Sequence, residues 1–385
     1  MHDKVLKQLP NWLIFLFPFI MLTNGFLGKL YGILFIFRVR PKLAGSFHLI
    51  FLISVVSVIS VIRVILNFEY LFSELLIIGN LTLLFIFFNV ASSKLQKISS
   101  LLRAAAITIC FVVIFLKCLQ LVGLDVSSIL KLLRYSEIAG LIDTKYSEAS
   151  ILVSVNERIG FGNPSDMGVF LFLTYLVSCA ANDKSDRLFF ILILSTLFIA
   201  QSRSFLAGLV MVFFLWESTK IRLVLVFLAP IFGLLVYLNY SVLFEYLRIS
   251  STMSGGDSFR LQLATIVYEL IGADNLSWMF GVGYGELKEH VEMLVGFRTT
   301  TESAVLTTIG TYGVLGGTVI ILWSLRVFRG YLASCDSRIW YLLVSVFLIS
   351  LVMPLTEYIY FYVTLPLFLR LYCPRSLDNR SIILK

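Results

Sequence analysis

Arg203 is the residue whose position most needs a reason. It lies in the pentapeptide QSRSF (201–205), between the apolar runs LFFILILSTLFIA (188–200) and FLAGLVMVFFLW (205–216). Each run is about one membrane crossing long. The turn between them is so short that a cation in it must lie at, or inside, the edge of an apolar layer. Charge there is costly unless it faces a cavity or a partner. Two readings stay open: Arg203 holds an anionic ligand, or it pairs with a neighbouring carboxylate. Guanidinium chemistry suits the first, because it grips phosphate oxygens in a bidentate fork and stays charged when partly desolvated.

Further cations and carboxylates fall in two long polar segments, loop A (about 124–165) and loop B (about 244–302). Loop A ends in NERIGFGNPSDMG (156–168). There Arg158 is a candidate ligand contact, Glu157 a lesser one, and Asn163-Pro164 turns the chain into the next apolar run. Loop B contains SGGDSFRLQL (254–263), in which Asp257 or Ser258 is placed to cap a helix and Arg260 falls in its first turn. A cation is unfavourable to the helix dipole there, so backbone N–H groups with Arg260 would make an anion site; the alternative is an ordinary cap with Arg260 paired to Asp257. FGVGYGE (280–286) places three glycines within five residues and predicts a tight irregular turn; Tyr284 in it is a candidate substrate contact. It is no nucleotide fingerprint, since no strand precedes it. Arg298 follows. Glu302 stands where loop B runs into TTTESAVLTTIGTYGVLGG (299–317). It is either a general base or a partner for Arg203 or Arg260, and nearby arginines would weaken it as a base. The glycines at 310, 313, 316 and 317 permit close helix packing. Arg134, Arg248 and Lys145 are tolerable in long loops without a ligand.

The elements that must position these groups follow from composition. Of 385 residues 59% are hydrophobic and 14% charged, and mean hydropathy is +0.93. A soluble domain carries about 25% charged residues. Continuous apolar runs exclude an outer-membrane barrel, whose strands would alternate. The expected fold class is all-α and polytopic, one integral membrane domain over 1–385 with about twelve transmembrane helices. The spans read as 11–24, 27–38, 45–67, 72–91, 101–123, 166–182, 187–201, 204–217, 221–243, 303–325, 339–354 and 357–372. Within loop B a helix is predicted over 258–272. Leu261, Ala264, Ile266 and Leu270 form its buried face and Gly272 its cap.

Lysine and arginine gather in alternate short loops, among them Arg38, Arg40 and Lys42, Lys94 and Lys97, Lys184 and Arg187, Arg326 and Arg329. The positive-inside rule makes that side cytoplasmic, with both termini inside and loops A and B outside. Arg203 is the exception among the outer short loops. The net charge of +8 mostly reflects the cytoplasmic loops and gives no nucleic-acid signal. Five cysteines show no disulfide or metal spacing, and three isolated histidines make a zinc site unexpected. No metal and no cofactor are expected.

The order of these motifs carries a resemblance. A short-loop Ser202-Arg203, an arginine opening a loop helix at 260, GVGYG at 281–285 and TESAVLTTIGTYGVLGG at 301–317 together resemble the O-antigen polymerase and ligase superfamily, over about residues 150–325. The resemblance implies a GT-C-like membrane glycosyltransferase of the bacterial inner membrane. Its substrates would be undecaprenyl-pyrophosphate-linked oligosaccharide repeat units, joined at the periplasmic face. Membrane lipid would surround it, and a chain-length regulator is the protein partner the family leads one to expect. Arg203 and Arg260 match the family's loop arginines, Arg158 less securely. Ligases usually carry a histidine-asparagine pair where this chain has Glu302-Ser303, which favours a Wzy-type polymerase over a ligase. His290 does not fit that pattern. A ligase delivering glycan to lipid A core, or a lipid-linked oligosaccharide transporter, are the other readings.

Overall fold

A computed structural model describes residues 15–16, 18, 47–66, 71–88, 92–124, 152–155, 158–161, 164–182, 186–217, 257–295, 303–332, 346 and 359–372. The expected spans at 27–38 and 221–243, nearly all of 11–24 and 339–354, and Arg134, Lys145, Glu157, Arg248, Arg298 and Glu302 lie outside the described residues.

The described residues are helical apart from one short hairpin. Two helical segments, Lys94–Leu121 and Ala304–Leu322, are long and apolar enough to cross a membrane. The other apolar helices among the described residues are shorter, Met167–Asn182 and Arg187–Ile199 for example. Twelve full-length crossings are therefore not what these residues present. The exposed faces still suit lipid. Phe111 and Phe115, one helical turn apart, are both exposed, and Leu188 is 82% exposed. Large apolar side chains in such rows are not what a water-facing surface carries.

The chain forms two compact units. The first comprises residues 1–44, 86–216 and 358–377. Its described elements are α3 (Ser92–Leu121), the hairpin β1 (Leu152–Val155) and β2 (Arg158–Phe161), α4 (Pro164–Asn182), α5 (Arg187–Ile199), α6 (Arg203–Trp216) and α11 (Ile359–Tyr372). Helix α4 is the axis, packed by α3, α5, α6 and α11. It has no polar face: Met167, Val169 to Leu173 and Tyr175 to Val177 are all buried. A helix apolar all round belongs inside a bundle. Pro164 opens it, where a missing N–H costs nothing. At the far end of α5, Asp186 caps the helix by accepting from the backbone N–H of Phe189 at 3.1 Å. Arg103 of α3 pairs with the same carboxylate and lies over the Phe189 ring, 5.4 Å from its centroid.

The hairpin was not expected in loop A. It pairs Leu152 with Phe161 and Val155 with Arg158 in antiparallel register. Val153 and Val155 on β1, and Ile159 and Phe161 on β2, are strand-forming residue types.

The second unit comprises 45–85, 217–357 and 378–385. Its described elements are α1 (Phe47–Leu66), most of α2 (Leu71–Phe88), α7 (Asp257–Gly272), α8 (Asn275–Phe280), α9 (Tyr284–Val295) and α10 (Ala304–Leu332). Helices α7, α8 and α9 all pack against α10, which also meets α1. Leu263 and Val267 of α7 bury against Leu287 and Val291 of α9. Val56 and Ile59 of α1 bury against Tyr312 of α10.

Two expectations for α7 need correction. Its buried face runs through Leu263, Val267 and Ile271; Ala264, Ile266 and Leu270 are only partly buried. The helix is apolar on adjacent stripes, and contact with α9 and α10 selects the stripe turned toward them. Gly272 is not a left-handed cap. Among the described residues of this unit the left-handed glycines are Gly281, Gly283 and Gly313.

Candidate functional site

In the first unit the QSR turn is built from backbone bonds. At the end of α5, Ala200 donates to the Thr196 carbonyl at 2.9 Å, Gln201 to Phe198 at 3.0 Å and Ser202 to Leu197 at 3.0 Å. The last of these is the six-to-one bond of a Schellman ending, which requires a left-handed residue inside it. That residue is Gln201, with φ 55°, although it is not a glycine. Leu206 then donates to the Ser202 carbonyl at 3.0 Å, so α6 starts at once and Arg203 is its first residue. Gln201 and Ser202 are both buried. The turn is clamped from α4: a Cβ on Gly168 would stand 2.5 Å from Phe205 Cδ2 and 3.1 Å from Ser202 Oγ.

The helix lengths sharpen the question posed by Arg203. Helices α5 and α6 have 13 and 14 residues, hence about 20 Å each at 1.5 Å per residue. The apolar core of a bilayer is about 30 Å thick. A hairpin of that length falls about 10 Å short of spanning that layer. The place of Arg203 at a helix start is electrostatically unfavourable. The hairpin bearing Arg158 packs on α3 and α4 and is joined to the start of α4, the same end of that helix that meets the QSR turn. The first unit therefore carries the backbones of Arg158 and Arg203 at one end of α4.

In the second unit the two glycine-rich motifs meet backbone to backbone. Helix α10 is interrupted at Gly313 (φ 72°, ψ 179°). Helix α8 ends at Gly281 in nearly the same conformation (φ 72°, ψ −179°). Only glycine occupies that region freely. The two face each other. A Cβ on Gly281 would overlap the Gly313 nitrogen and stand 2.5 Å from the Thr311 oxygen, and one on Gly313 would stand 2.5 Å from the Met279 oxygen. Beside this contact Val282 donates to the Gly310 carbonyl at 3.0 Å and Gly283 to Thr311 at 3.2 Å. Those acceptors lie one turn before Val314 and Leu315, where the break interrupts the helical ladder. Gly310 also lets α7 and α9 approach; a Cβ there would press on Leu287 at 2.9 Å and Val267 at 3.3 Å.

This join positions the remaining candidates. Asp257 opens α7 and Arg260 is its fourth residue. Tyr284 opens α9, partly buried, with the Lys288 ammonium 5.7 Å from its ring centroid. His290 lies one turn from Glu286, its Nδ1 3.1 Å from that carbonyl oxygen. Asp274 caps α8. The Ser277 backbone N–H, donating at 2.7 Å, and then the Ser277 hydroxyl hold its carboxyl below the usual 3.8. Two positioning groups, Asp186 and Gly168, escaped sequence reasoning. The first followed a lysine and a serine in a polar loop, and the second is one glycine in an apolar run.

Comparison with known proteins gives no match, either to a protein-family model or to an individual curated protein.

Proposed function

We propose that the chain is a multi-pass glycosyltransferase of the bacterial inner membrane, with both termini cytoplasmic and about twelve crossings, that polymerises surface polysaccharide in the manner of a Wzy-type O-antigen polymerase. The observation that carries the reading is the QSR turn. It holds an arginine at the start of a helix, between two apolar helices that are each about 10 Å shorter than the membrane core. Such a cation serves an anion that arrives within the membrane, and a lipid-linked pyrophosphate is one.

In the proposed reaction a growing glycan and a single repeat unit each ride on undecaprenyl pyrophosphate. A terminal hydroxyl of the repeat unit attacks the anomeric carbon of the glycan. A glycosidic C–O bond forms and the bond to the pyrophosphate breaks. Undecaprenyl pyrophosphate leaves with the electron pair, and the hydroxyl proton passes to a base, for which Glu302 is the candidate. Charge developing on the leaving group is stabilised by donors placed beforehand; Arg203 and Arg260 take that role, with Arg158, Arg298, Tyr284 and Asp257 at the substrates. Glutamate and serine at 302–303 favour polymerase over ligase.

The test is the surface-glycan ladder of a deletion strain complemented with wild type, Arg203→Ala or Arg203→Lys. The expected result is core plus one repeat unit in the deletion, a full ladder with wild type and no ladder with Arg203→Ala at equal protein level. Lysine should restore little, since it lacks the planar fork. Bare core in the deletion would indicate a ligase. An intact ladder with Arg203→Ala would refute the role given to that residue.

A further inference from the structure

Helix α8 lies within loop B, the segment expected outside the membrane, yet its own surface is apolar. None of its residues is buried. Leu276 is 66% exposed and Trp278 49%, and Met279 and Phe280 are exposed as well.

Its depth can be read from two helices independently. Gly313, to which the end of α8 is spliced, is the ninth residue after Ala304 in the apolar segment Ala304–Leu322, or about 13 Å along that helix. Ile59 of α1 buries against Tyr312 and lies 3.5 Å from the Cβ position of Gly316. It is the seventh residue before Leu66, or about 10 Å from that end of α1. Both helices place the splice about a third to a half of the way into an apolar layer of about 30 Å. The exposed face of α8 also continues onto Leu315, Val319 and Leu322 of α10, one stripe at helical spacing.

We infer that α8 is a re-entrant wedge inserted among lipid acyl chains, entering from the side of the α10 N-terminus and returning along α9. Irregular backbone at such depth must be satisfied by protein, and the bonds from Val282 and Gly283 to α10 do this. The six residues of α8 span about 9 Å, enough to return Asp274 to the headgroups. On the way back α9 turns Leu287 and Val291 inward against α7. The inference rests on α1 and α10 crossing the membrane and not on glycosyl transfer, so it stands or falls separately from the proposed reaction.

The test uses the full chain in lipid nanodiscs with the five native cysteines replaced by serine. Spin labels are placed by Leu276→Cys, Trp278→Cys and, as the aqueous reference in the polar start of α3, the exposed Lys97→Cys. Collision with molecular oxygen is compared with collision with a water-soluble nickel chelate. At 276 and 278 the oxygen-to-nickel ratio should exceed the reference several-fold. A ratio equal to the reference, or shielding from both reagents, would overturn the wedge. Should the cysteine variants not fold, the fluorescence of wild type minus that of Trp278→Phe isolates Trp278. Quenching of that difference by lipids doxyl-labelled on the acyl chain supports insertion, and its absence overturns it.

Discussion

Replacing either Gly281 or Gly313 with alanine should damage the second unit more than any other single-methyl change on its described glycines. Both residues hold φ 72° with ψ near 180°, a region that costs a side-chain-bearing residue about 1–3 kcal/mol. The new Cβ also meets backbone atoms of the facing motif. Backbone cannot swing aside as a side-chain tip does, so the clash adds about 1–3 kcal/mol. Parting the two motifs to relieve it endangers the bonds from Val282 and Gly283, each worth about 1 kcal/mol. Each variant should therefore lose about 3–5 kcal/mol. Gly272→Ala is the control, because nothing lies within 4 Å of its Cβ position and its φ is ordinary. It should be neutral or gain up to about 1 kcal/mol in helix propensity. The two losses should not add, since either substitution opens the same join. The assay is thermal unfolding of detergent-solubilised protein, followed by size-exclusion chromatography of the heated samples. Gly281→Ala and Gly313→Ala proteins as stable as Gly272→Ala, or a double variant that loses the full sum, would refute the backbone join.

Two further perturbations address the polar ends of the helices. Asp186→Ala should destabilise the first unit more than Arg103→Ala, because it removes a helix cap worth about 1 kcal/mol as well as the ion pair. The pair itself is partly exposed, so the double-variant cycle should return a coupling of about 1 kcal/mol or less. Asp274 has a folded-state pKa below its ordinary 3.8, so its cap on α8 is fully present above that value and is lost as pH falls through the depressed one. Amide exchange over 275–280, corrected for intrinsic rate, should lose protection only below about pH 3.8; Asp274→Ala should be unprotected throughout, and a loss already at pH 5 would contradict the assignment.

The helical class and several local features were legible in the sequence because each rests on short-range rules. A helix expected over 258–272 is found at Asp257–Gly272. The two-residue turn before Arg203 and the irregular turn at GVGYG follow from their residues. What the sequence hid is long-range. Gly281 and Gly313 are separated by the whole of α9 and by 296–303, and nothing in either motif announces that the other is its partner. Arg103 and Asp186 are 83 residues apart, and Arg103 falls inside an apparently apolar span. The buried face of α7 is not fixed by its own residues, because Leu261, Leu263, Ile266, Val267 and Leu270 offer more than one stripe and only the neighbours decide among them. Gln201 in a left-handed conformation runs against the usual choice of glycine at such a cap. Of the candidate arginines, the described residues include the backbone at 158, 203 and 260.

The encased helix α4 has a consequence for how the chain is made. One wall of its sheath is α11, residues Ile359–Tyr372, synthesised after every described element of the second unit. Ribosomes add about 5–20 residues per second, so a nascent chain passes many seconds with one flank of α4 uncovered. During that interval lipid, the insertion machinery or a holding chaperone must shield the flank of α4 that α11 later covers. Completion of the first unit thereby waits on the synthesis of α11.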